Sequence, residues 1–276
     1  FITTSAWTKG GITYAYDPET NEFTNTGLNP KGMYDDVAGL ESHEVQAPSY
    51  DGVMVPLSII HQTGIKRDGS NPTLLSGYGA YGSVSSAFFD PQRIAWLEKG
   101  GILAVAHVRG GGEYGEEWHL GGQKLTKPNT WKDFIACAEY LIREGYTSPA
   151  KLAGQGGSAG GILIGRAITE RPDLFGAALI DVGCTDMVRM EHTMNGVPNI
   201  PEFGTVTKPD EFQGLLAMSA YHHVQEGAKY PAVLLAHGIN DPRVEPWMSA
   251  KMTARLQAAS TSGKPFLFRV DYQAGH

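Results

Sequence analysis

Apolar residues recur along the chain in two rhythms, and the change from one to the other falls near residue 50. Residues 1–50 mix short apolar alternations with Asp, Asn, Gly and Pro, and GGITYAYDPETNEFT reads as two strands joined at Asp17-Pro18. From Val53 onward, strand-like runs appear at VPLSII, TLLSGY, ILAVAHV, AALIDV, AVLLAH and FLFRV, separated by longer segments. Trp131, Phe134, Ile135, Ala138, Leu141 and Ile142 share one face of a helix that Gly145 ends. A second helix follows Ser158 through GGILIGRAITER and stops at Pro172, and a third, MSAKMTARLQAA, lies between AVLLAH and FLFRV. Strands alternating with helices predict a mostly parallel sheet with helices on both faces, whose ligands bind beyond the carboxyl ends of the strands. The expected division is a β extension at 1–50 and one α/β domain at 51–276.

Length and composition fit that division. A chain of 276 residues, 41% hydrophobic and 18% charged, can bury one substantial core. A net charge of −7 without any Lys/Arg run argues against a nucleic-acid partner, since that binding depends on cationic contacts to phosphates. No apolar run approaches the roughly 20 residues that cross a bilayer. The opening FITTSAWTKG lacks the regions of a signal peptide and an initiating Met, which leaves the compartment open and leans slightly towards cytoplasm. Cys137 and Cys184, each among apolar neighbours, read as buried free thiols. The nine histidines form no His-Glu-x-x-His pattern and the pair His222-His223 would diverge, so no metal site is expected. The oligomeric state is not legible.

The stretch carrying most chemical information is KLAGQGGSAGGILIGRA, where Gly156-Gly157-Ser158-Ala159-Gly160 satisfies the Gly-x-Ser-x-Gly elbow between a strand and a helix, the mark of the α/β-hydrolase fold. A serine hydroxyl is a poor nucleophile at neutral pH, so an imidazole must take its proton and a buried carboxylate must hold that imidazole in one tautomer. In α/β-hydrolases the chain order is Ser, acid, His. Asp241 follows AVLLAH, and His276 follows FLFRV, so both loops leave the same sheet edge. Asp181, Asp186 and Asp271 are alternative acids and His237 and His107 alternative bases; chain order favours Asp241 and His276. A literal Gly-x-Gly-x-x-Gly at Gly110, Gly112 and Gly115 is discounted as a dinucleotide turn, because EEWHLGGQ behind it is not the apolar start of a helix.

With these residues placed, the chain resembles, over nearly its whole length, the catalytic domain of the prolyl oligopeptidase family of serine peptidases. The likeness is carried by GYGAYG at 77–82, RGGGEYGEEWHLGG at 109–122, EYLIREGYTSP at 139–149, GGSAGG at 156–161, RPDLFGA at 171–177, DPRV at 241–244 and the closing AGH. It implies an oxyanion hole made by the Ala159 amide and the Tyr78 hydroxyl, and a substrate-anchoring role for Arg243. In the family a tryptophan stacks on the substrate proline; the matching position here is Asn199, a nearby tyrosine is matched by Phe203, and Tyr81 keeps the pocket's other aromatic position. Loss of that stacking surface implies proline selectivity weakened by roughly a few kcal/mol at most. FITTSAWTKGGITYAYD resembles the end of the last blade of the family's β-propeller, and further residues are expected at both ends.

The expected function is acyl-enzyme hydrolysis, needing no cofactor, of short peptides or, with the same triad, of small esters. A noncatalytic binding domain is the reading from a different class.

Overall fold

The computed structural model describes residues 1–35 and 37–276. Its strands are β1 (Ile2–Thr4), β2 (Ile12–Asp17), β3 (Glu22–Asn25), β4 (Leu40–Pro48), β5 (Met54–Gln62), β6 (Thr73–Gly77), β7 (Ile102–Ala106), β8 (Leu152–Gly157), β9 (Ala177–Asp181), β10 (Ala232–Gly238) and β11 (Phe266–Asp271). The α-helices are α1 (Ile94–Glu98), α2 (Glu116–Leu120), α3 (Pro128–Arg143), α4 (Gly160–Glu170), α5 (Ile200–Phe203), α6 (Pro209–Met218) and α7 (Trp247–Ala259). β1, β2 and β3 form a small antiparallel sheet. The other strands form one sheet in the order β11-β10-β9-β8-β6-β7-β5-β4, in which β5 alone runs against its neighbours.

The 1–50 extension expected from the sequence therefore divides. The hairpin at Asp17-Pro18 belongs to the small sheet, but Leu40–Pro48 pairs along all nine residues with β5 and is the edge strand of the large one. Exposed Ser42, Glu44 and Gln46 alternate with His43, Val45 and Ala47 along β4, as suits an edge with one wet face, and this polarity makes it read as part of the extension. Central strands look different. β7 is buried at every position and β5 at seven of its nine, giving near-continuous apolar runs.

Helices cover both faces. α1 packs Ile94 and Leu97 on Ile60, Leu103 and Val105, while α3, α4 and α7 close the larger core on the opposite face around Leu57, Leu75, Ile180 and Leu235. α3 begins a turn before Trp131, because Pro128 occupies the first helical position, where its missing N–H costs nothing. α4 is buried almost all round and carries apolar residues to match, and an added Cβ at Gly165 would lie 2.5 Å from Ala220. α7 buries Met248, Met252, Leu256 and Ala259 along a single stripe. This is the α/β-hydrolase fold expected from the strand and helix rhythm. α5 and α6 were not legible: α5 is one turn long and crowded by Pro198, Pro201 and Gly204.

A buried ion pair fastens α3 to the strand edge below the site. The Arg109 guanidinium donates to Asp133 at 2.6 and 2.8 Å and to Asp51 at 2.7 Å, and Ser49 Oγ donates to Asp133 at 2.6 Å. Asp133 is fully buried, so its removal strands a guanidinium with too few acceptors. Asp133→Ala is expected to cost about 3–5 kcal/mol of stability in denaturant unfolding, and a loss below about 1 kcal/mol would contradict the assignment.

Candidate active site

β8 ends in the centre of the sheet, and the chain must reverse there to enter α4. Ser158 sits at the reversal with φ +55°, a left-handed conformation that side chains adopt at a cost. Its amide donates to Asp181 O at 2.9 Å, and its carbonyl accepts from Cys184 N and Gly161 N, both at 2.9 Å. The turn tolerates no side chain on two of its glycines. An added Cβ at Gly156 would lie 2.7 Å from Gly160 O, and at Gly161 it would lie 2.6 Å from Gly183 Cα.

The structure brings Ser158, His276 and Asp241 together. Ser158 Oγ is 3.0 Å from His276 Nε2, and His276 Nδ1 is 2.8 Å from Asp241 Oδ2. Asp241 is buried, which opposes ionisation. The Val244 and Arg243 amides, donating to Oδ1 at 3.0 and 2.8 Å, and the His276 ring outweigh that burial and hold the carboxyl below its usual range. The loop that carries His276 lies over Gly238, where an added Cβ would approach Gly275 O to 2.2 Å. Asp271 shapes the same loop by accepting from the amides of Gln273 and Ala274 at 2.9 and 3.1 Å.

The other candidate acids and bases have different partners. His237 is buried between Ser249 Oγ at 2.8 Å and Val244 O at 2.9 Å, and its Nε2 also lies 3.2 Å from Asp241 Oδ2. His107 bonds Ser58 and Glu113, Asp186 pairs with Lys251, and Asp181 receives the Ser158 amide on its carbonyl. Gly110 and Gly112 serve backbone packing: added Cβ atoms there would lie 2.2 Å from Gly79 O and Gly82 O respectively.

A cavity of about 280 Å³ opens beside the nucleophile, lined by Tyr78, Tyr81, Ser158, Cys184, Asn199 and Arg243 among others. Tyr78, which follows β6 at the carboxyl edge, lines the cavity together with Ser158, and burial raises its phenol above the usual range. Ala159 is the N-cap of α4, at the positive end of the helix. Arg243 is exposed and, among the described residues, makes no ion pair. Tyr81 has φ +58° and donates from its hydroxyl to Asn199 Oδ1 at 2.7 Å.

Phe203 departs from expectation. Only 1% of it is exposed, and it packs edge-to-face under Tyr81 at 5.4 Å between centroids, so it supports the wall rather than lining it. Ser83, Cys184, Met190, Asn195 and Val244 also line the cavity, without any signal in the sequence for that place. Cys184 is the buried free thiol its apolar neighbours imply, and burial pushes its pKa up to about 12. Its place beside the nucleophile follows from the long-range Cys184 N to Ser158 O bond, which no local pattern announces. Among the described residues no group of three His, Cys, Asp or Glu side chains could hold a metal, and no helix is long and apolar enough to cross a membrane.

Residues 87–276 match the prolyl oligopeptidase family. A prolyl endopeptidase of Elizabethkingia meningoseptica is 40% identical over 236 residues, covering 85% of this chain and 34% of the relative. A dual function macrocyclase-peptidase, POPB, of Galerina marginata is 36% identical over 280 aligned positions, covering 98% of this chain and 38% of the relative. Among solved structures, a prolyl endopeptidase superposes with a TM-score of 0.93 at 38% identity over 99% of this chain and 40% of its own. Oligopeptidase B from Leishmania major does so with 0.93 at 31% identity over 99% and 38%. The chain thus spans well under half the length of these relatives. With its motifs, fold and site geometry in agreement, the chain belongs to the prolyl oligopeptidase family.

Proposed function

We propose that this chain supplies the hydrolytic centre of a serine peptidase that cleaves short peptides through an acyl-enzyme. One observation carries the reading: a continuous relay from Ser158 Oγ through His276 to a buried Asp241 carboxylate. Ser158 attacks the scissile carbonyl while His276 Nε2 takes its proton, and Asp241 stabilises the imidazolium and fixes the tautomer. The carbonyl oxygen becomes an oxyanion, met by the Ala159 amide and the Tyr78 hydroxyl. His276 then gives the proton to the leaving amine. Water, deprotonated by the same imidazole, releases the acyl chain and regenerates the serine.

The cavity supports a neutral residue on the acyl side of the scissile bond. Glu202, a buried carboxylate bonded to the backbone of the wall residue Tyr81, already accepts from that amide and His119 and faces Lys127, so it has little capacity left for a cationic substrate side chain. Asn199 and Cys184 give the cavity a narrower apolar surface than an aromatic wall would, and this favours the ester reading as a runner-up. Arg243, at the cavity mouth with five donors, suits a backbone carbonyl of the substrate.

Two outcomes follow. Wild type should hydrolyse a proline-containing peptide amide, and Ser158→Ala should abolish that activity together with any turnover of a short-chain nitrophenyl ester. Ester turnover alone would sink the peptidase reading, and turnover of neither would sink the hydrolase reading. Tyr78→Phe should lower kcat about a hundredfold with KM little changed, since one oxyanion donor contributes about 3 kcal/mol in the transition state. An unchanged kcat would remove Tyr78 from that role.

A further inference from the structure

Behind the loop that carries Tyr78 and Tyr81 lies a buried charge pair that touches neither Ser158 nor the cavity. Lys127 is fully buried at the start of α3 and donates from Nζ to Gly79 O at 2.5 Å. Its ammonium lies 3.6 Å from Glu202 Oε1 and 5.4 Å from the centre of the Phe203 ring. The same Glu202 oxygen accepts the Tyr81 amide at 2.9 Å, and the other carboxylate oxygen meets His119 Nε2 at 2.8 Å. The start of α3 and the single turn of α5 therefore grip one short loop, the first at the Gly79 carbonyl and the second at the Tyr81 amide.

That loop needs gripping. Gly79, Tyr81 and Gly82 have φ of +69°, +58° and +62°, and a left-handed Tyr81 is a conformation the isolated chain would leave. An added Cβ at Gly79 would lie 2.4 Å from Thr130, so the loop is seated directly on α3. α5 also carries the cavity wall at its N-cap, Asn199, which receives the Tyr81 hydroxyl. The charge pair thus joins the wall of the cavity to the backbone next to Tyr78.

We propose that Lys127 and Glu202 are positioning residues for the reaction, holding the 78–82 loop in the one backbone shape that aims the Tyr78 hydroxyl at the developing oxyanion. The proposal rests on the oxyanion role of Tyr78 given above. Burial draws the Lys127 ammonium down to about 8 against the opposing pull of Glu202, as befits a charge kept out of water and therefore reliant on its two acceptors. An ion pair of purely structural use would change stability and leave the rate per folded molecule alone. A positioning pair changes kcat, and only as long as the Tyr78 hydroxyl is there to be positioned.

A double-mutant cycle in the full chain separates these cases, with rates normalised by fluorophosphonate titration of Ser158. Lys127→Met is expected to lower kcat about thirtyfold with KM within about threefold, and to lower it by no more than about threefold in the Tyr78→Phe background. If Lys127→Met does not fold, Glu202→Gln, which keeps the volume and removes the charge, is read in the same cycle with the same coupling expected. Losses of equal size with and without the Tyr78 hydroxyl, or no loss at all, overturn the proposal. A Tyr78→Phe variant as active as wild type removes the oxyanion role and the proposal with it, whereas a wild type that turns over no substrate refutes the hydrolase reading itself.

Discussion

Everything near the site is arranged around one steric constraint, the reversal of the backbone at Ser158. A strand buried in the middle of an eight-stranded sheet must turn into a buried helix within two residues, and a left-handed Ser158 with glycines at 156, 157, 160 and 161 around it achieves this. The turn is stabilised from both sides. Asp181 at the end of β9 accepts the serine amide, and the Cys184 amide closes on the serine carbonyl. Because β6 is the other neighbour of β8, the residue that follows β6, Tyr78, arrives beside the same hydroxyl. The positive end of α4 and a phenol then flank the place where charge would develop.

The second requirement is a proton acceptor held in one tautomer, and two loops beyond β10 and β11 meet it together. Gly238 and Asp271 stand side by side in the parallel register, so the acid loop and the base loop leave the sheet at the same height. Asp241 is fixed by backbone amides on one oxygen, which leaves the other for the imidazole. Its ionisation is secured by the same amides, and the carboxylate is lost only as pH falls below the ordinary carboxylate range.

Much of this was legible in the chain. The elbow and the order of acid and base are local or sequential signals, and the apolar rhythm is enough to place the strands that carry them. What the rhythm could not show was anything decided across the fold. β4 reads as polar because an edge strand buries one face only, and α5 is too short to have a period. Phe203, aligned with a pocket residue, lies beneath Tyr81 because the loop between β9 and α6 folds back on the 78–82 turn. The glycines at 110 and 112, whose spacing imitates a nucleotide turn, are needed for backbone-to-backbone contact with that same turn. Lys127 and Glu202 are 75 residues apart in the chain and gave no signal in it.

The central claim is that Ser158 is activated through His276 by Asp241. Its most direct test is the second-order rate at which a fluorophosphonate modifies the protein, with the adduct located by mass spectrometry, in wild type and in Asp241→Asn. A single adduct on Ser158 is expected, formed at a rate that the substitution lowers at least about a hundredfold, because an amide favours the wrong imidazole tautomer. An adduct elsewhere, or a Ser158 adduct forming equally fast without the carboxylate, would contradict it.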